Sequence, residues 1–131
     1  MELDSHKFAC AIAQFLDDKL AKDIVILDIS NVSSLADYFV IATGDSTPQV
    51  KALMETVKDN VKTKLGKLPL RIENDSKSRW NLLDYGDVVV HILHKEDRET
   101  YAIEKFWNHA YSVTEDEWRE VGKEYSEYAN K

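Results

Sequence analysis

At 131 residues the chain has the length of one ordinary domain, enough for a core without disulfide or metal staples and too short for two full domains. Its 17 Lys and Arg against 24 Asp and Glu give a formal net charge of −7, which argues against broad contact with phosphate backbones and favours a basic partner. One cysteine, Cys10, excludes an intrachain disulfide, and no apolar run reaches membrane-spanning length, so a cytoplasmic protein without membrane contact is expected.

Asp4 or Ser5 can cap a first helix running to about Lys22, with Phe8, Ile12, Phe15, Leu16 and Leu20 spaced three and four apart along one inward face. Cys10 belongs to this helix as a small apolar residue, since no base or cation beside it would activate a thiol. Ile24 to Ile29 is a β-branched run that reads as a buried strand, and Tyr38 to Thr43 reads as a second. A second helix then opens either with Ser46 and Gln49 as a capping box or with Thr47 followed by Pro48, and continues to about Lys64 before Gly66.

Leu68 to Glu73 is a short third strand. Trp80 to Tyr85 and Val88 to His94 form a hairpin across Asp84-Tyr85-Gly86-Asp87, where Gly86 supplies a turn residue able to take positive φ. Alternation places Trp80, Leu82 and Asp84 on one face and Asn81, Leu83 and Tyr85 on the other. A helix from Asp97 to about His109 carries Tyr101, Ile103, Phe106 and Trp107 on a broad aromatic surface. Thr114 and Glu117 match another capping box at the start of an acidic tail. The order of elements predicts a single mixed α/β domain, an about five-stranded mixed sheet packed by helices, with residues 1–112 as the domain and 113–131 as an acidic helical tail.

Several groups invite chemistry. Gly44-Asp45-Ser46, between a strand and a helix, could face an anion, but one glycine and no following lysine fit a plain turn better. Asp84 and Asp87 could be an acid and base pair, yet Asp at a turn commonly accepts from backbone donors, and nothing nearby completes a reactive set. His91 and His94, three apart on a strand, point to opposite faces and cannot share a metal. No metal or cofactor is expected. Trp80 is the sharpest feature: with the helices already bringing large rings to one sheet face, it reads as an interface anchor on the other, with Leu82 beside it and Tyr85 extending the patch at the turn. Lys77 and Arg79 are possible rim residues.

Three blocks in this order carry a further message: Ala36-Asp37-Tyr38-Phe39-Val40-Ile41-Ala42-Thr43-Gly44, then Trp80 to His91, then Leu93 to Trp107 with Tyr101, Glu104 and Trp107. Together, over roughly Phe8 to Trp107, they resemble the Iojap-type ribosome silencing factor family. The resemblance implies a fold like that of nucleotidyltransferases without the catalytic motif, and no enzymatic activity. It implies binding to ribosomal protein L14 of the large subunit, which blocks joining of the small subunit and represses translation. Trp80, Leu82, Asp84, Tyr85 and His91 are the residues expected to meet L14, His91 being equally readable as a sheet imidazole. The rival expectation is an enzyme of nucleotidyltransferase type, with Gly44 to Thr47 cradling phosphates and Asp84 or Asp87 holding magnesium. A homodimer using the Trp80 face for itself is a third.

Overall fold

The structure, a computed structural model, describes residues 3–74, 80–101 and 110–128. Helix α1 spans Ser5–Asp18 and starts where Asp4 Oδ1 accepts the Lys7 N–H at 2.7 Å. It ends before the expected Lys22 because the chain turns left-handed at Leu20, φ 65°. There the Leu20 N–H donates to the Asp17 carbonyl at 2.9 Å and the Ala21 N–H to the Leu16 carbonyl at 3.0 Å. That is the helix-ending pattern that usually recruits glycine, and the sequence offers no glycine to announce it.

Strand β1, Lys22–Asp28, pairs antiparallel with β2, Tyr38–Gly44. Of the two openings for the next helix, the first is used: Ser46 Oγ accepts the Gln49 N–H at 3.2 Å, and helix α2 runs Thr47–Asn60. A π-helical turn, Val61–Leu65, carries it on to Gly66 and keeps Val61 buried. Strands β3, Arg71–Asn74, β4, Trp80–Asp84, and β5, Val88–His94, follow. The β4–β5 turn is closed by Gly86 at φ 94°, whose N–H donates to Asp84 Oδ1 at 2.8 Å. Helix α3, Lys95–Tyr101, begins directly after β5, and the aromatic surface expected of Ile103, Phe106 and Trp107 lies outside the described residues.

The sheet has six strands in the order β3-β4-β5-β2-β1-β6, not about five. Strand β6, Tyr111–Val113, is three residues long, too short for periodicity to reveal, and pairs with β1 through Ile26 and Val113. It crosses the 112/113 boundary drawn from sequence. Only β2 and β5 are parallel, with Tyr38 beside Val88 and Gly44 beside His94; every other described pair is antiparallel.

Helices α1 and α2 pack on one face of the sheet, over Val40, Ala42, Leu83, Val90 and Ile92. Helix α4, Glu115–Gly122, capped by Thr114 Oγ1, lies against α1 and seats Trp118 in the same core. Sequence periodicity gave α1 a single inward face. The structure buries every residue from Phe8 to Leu16, because α4 covers the side turned away from the sheet. Ala9, Cys10, Ala11 and Ala13 supply the small side chains that let three layers close around it. On the opposite face, Leu27, Ile29, Phe39, Ile41, Val89 and Leu93 form a second apolar cluster, with Trp80 and Leu82 half-buried at its margin.

Candidate docking site

The second face carries an open groove of about 240 Å³ lined by Leu35, Phe39, Arg71, Leu82, Asp84, Val89 and His91. Its residues come from five places in the chain and meet through strand register. Phe39 lies beside Val89, Val89 beside Asp84, and His91 between Leu82 and Ile41. Leu35, 76% exposed, projects from the segment before β2.

Trp80 adjoins this groove. Its indole N–H donates to His91 Nδ1 at 3.3 Å, and the His91 ring in turn meets Phe39 edge to face at 4.8 Å between centroids. His91 is 6% exposed, and burial holds its imidazole down at about 4, so the ring is neutral near pH 7. Its Nε2 is buried and finds no hydrogen-bond partner among the described residues. Asp84 is half-buried, with Oδ1 committed to the turn and Oδ2 3.7 Å from the Arg71 guanidinium.

Of the five residues singled out from sequence, Trp80, Leu82, Asp84 and His91 thus lie together on one sheet face. Tyr85 does not extend the patch. It is 8% exposed in the helix-side core, its ring edge-on to Phe8 at 5.3 Å, and burial pushes its hydroxyl up to about 12. The alternation that sent Asn81 and Leu83 inward carries one residue past the strand end and takes Tyr85 with it. Lys77 and Arg79 lie outside the described residues. Leu35, Phe39, Arg71 and Val89 were not singled out as site residues. Nothing local marks them: Phe39 and Val89 meet through the parallel β2–β5 pairing, Leu35 precedes β2, and Arg71 arrives beside Asp84 through the antiparallel β3–β4 pair, all non-local events.

The residues proposed for phosphate and magnesium are not brought together. In the parallel register Gly44 sits at the carboxyl ends of β2 and β5, whereas Asp87 precedes β5 and its carbonyl accepts the Asp37 N–H at 2.8 Å at the other end. Six residues of strand separate the two, roughly 20 Å. The turn after Gly44 is also internally occupied: Gln49 Oε1 accepts the Asp45 N–H at 2.7 Å, and the Lys22 ammonium, 2.7 Å from the Asp45 carboxylate, holds that acid below its usual range. Among the described residues no group of three or more His, Cys, Asp or Glu could hold a metal ion. Cys10 is fully buried and its thiol is pushed up to about 12, chiefly by burial. Among the described residues no helix is long and apolar enough to cross a membrane.

Comparison with known proteins gives this surface a context. The family described as "Ribosomal silencing factor during starvation" matches residues 2–131. The ribosomal silencing factor of Bacillus subtilis is 44% identical over 72% of this chain and 79% of its own length. The chloroplastic Iojap protein of Arabidopsis thaliana is 33% identical over 86% of this chain and 46% of its own, so some relatives are organellar. A crystal structure of a protein from Chromobacterium violaceum superposes with a TM-score of 0.75 at 37% identity, covering 82% of this chain and 88% of that one. With the family match spanning nearly every residue and relatives named as regulatory silencing factors and not as enzymes, the chain belongs to the ribosomal silencing factor family.

Proposed function

We propose that this protein docks on protein L14 of the large ribosomal subunit through the groove beside Trp80 and, by its bulk, keeps the small subunit from joining. The observation that carries this reading is the apolar strip of Leu35, Phe39, Leu82 and Val89 with Trp80 pinned beside it by His91, on the sheet face opposite α1, α2 and α4. A rigid indole at the edge of an apolar recess is the kind of anchor that dominates interface energetics. The net charge of −7 favours a basic protein target and disfavours ribosomal RNA, which limits where on a ribosome the domain can sit. No covalent chemistry is required, and a buried patch near 800 Å² per partner is ample for specific binding.

Cosedimentation tests the reading. The protein is expected to travel with large subunits and to be absent from joined ribosomes, and adding it to separated subunits is expected to lower the joined fraction. Trp80→Ala should weaken binding by on the order of 2 kcal/mol, roughly thirtyfold. A folded Trp80→Ala protein that cosediments as well as the unaltered one removes Trp80 as the anchor.

A further inference from the structure

Asp84 lines the groove with half of its carboxylate satisfied. Oδ1 accepts the Gly86 N–H at 2.8 Å, whereas Oδ2 accepts no hydrogen bond among the described residues. The group that faces Oδ2 is Arg71, beside Asp84 in the β3–β4 register, with Nη2 3.7 Å away. That is beyond hydrogen-bond reach, so the guanidinium offsets the charge without bonding to it. Arg71 is shared with a second acid: Nη1 lies 3.7 Å from Glu73 Oε1, two residues on and therefore on the same face of β3. The Arg71 side chain is 60% exposed and that of Asp84 25%, so a docked group can reach both. Loose, exposed ion pairs of this kind contribute little to stability and are readily exchanged.

We propose that Arg71 is a built-in placeholder for a cationic side chain of the docked protein. It offsets Asp84 while the groove is empty, and on docking it yields Asp84 to the partner's cation and passes wholly to Glu73. Closing the apolar walls of Phe39, Leu82 and Val89 over Asp84 excludes water, which makes a bonded cation at Oδ2 stronger and an unneutralised carboxylate costly. Arg71 and the incoming cation cannot both hold Oδ2, because they repel. The inference rests on the L14 reading, since L14 supplies the cation. Its consequence is opposite to that of an ordinary rim contact: removing Arg71 strengthens docking.

Titration calorimetry of the full chain with purified L14 tests this by sign. Arg71→Gln is expected to bind about threefold more tightly than the unaltered protein. Asp84→Asn, whose side-chain oxygen still accepts the Gly86 N–H, is expected to bind about tenfold more weakly, and in that background Arg71→Gln should bring no gain. Lys51→Gln removes the same charge from α2, on the other sheet face, and separates the local exchange from net charge; its affinity should stay within about twofold of the unaltered protein. Equal or weaker binding by Arg71→Gln, an equal gain in Lys51→Gln, or a gain that persists with Asp84→Asn overturns the placeholder while leaving docking on L14 intact. Failure of the unaltered protein to bind L14 overturns both.

Discussion

Leu20 shows how a single side chain can oppose the backbone that carries it. It holds φ 65° at the end of α1, where a side chain costs about 1–2 kcal/mol relative to right-handed backbone, and it is 77% exposed, so little burial compensates. Leu20→Gly is expected to raise stability by roughly 0.5–1 kcal/mol after the extra freedom of glycine in the unfolded chain is subtracted, as read by urea denaturation. A loss of stability would mean that Leu20 packs in a way its exposure conceals. His91 gives a second residue-scale effect, with its sign set by burial. From pH 6.5 downward the unfolded chain takes up a proton that the folded imidazole refuses until about pH 4, so stability is lost progressively across that window. Denaturation midpoints followed from pH 7 to 4 should fall, and His91→Phe, which has no such proton to take up, should flatten that part of the profile.

At the scale of elements, the α1–α4 contact is set by Gly122. A Cβ there would lie 2.7 Å from the Cys10 carbonyl oxygen and 3.2 Å from Gln14 Cβ, although φ at this residue is an ordinary −83°. The constraint is close approach, not backbone strain. Gly122→Ala should push α4 off α1 and cost about 1–3 kcal/mol, with Trp118 fluorescence reporting the loosened packing. An unchanged melting temperature would show that the helices can part freely. This contact also marks a limit of what sequence reveals. The caps at Asp4, Ser46 and Thr114 and the Asp84-Gly86 turn are local chemistry and can be read from adjacent residues. The burial of α1 on every side between Phe8 and Leu16 could not, because it needs a helix about one hundred positions away. Strand β6 is too short to be read from sequence, and Tyr85, which alternation sets with Asn81 and Leu83, keeps that side one residue past the strand and does not swing at the turn to extend the Trp80 patch. The shared face of Trp80, Leu82 and Asp84 is legible from period-two alternation, whereas His91 enters through the family resemblance, and Phe39 and Val89 are not legible because a parallel strand pair joins distant segments.

At the scale of the whole molecule, the proposed docking on a basic protein is governed first by charge. With a net charge of −7, association with a basic protein should be accelerated by long-range attraction and should slow as salt screens it. Stopped-flow mixing with L14 is expected to show an association rate falling several-fold between about 0.05 and 0.5 M salt, with a smaller change in dissociation. A rate indifferent to salt would remove steering from the mechanism.

The parallel pairing of β2 with β5 has a temporal consequence. More than forty residues intervene between Gly44 and Val88, and the recess on the second face has neither floor nor wall until they have been traversed and β5 has inserted between β4 and β2. Such distant closure is slow compared with forming a local hairpin or helix. A nascent chain therefore has no such recess until His94 is clear of the exit tunnel, and the surface proposed for docking matures only with the cooperative completion of the fold.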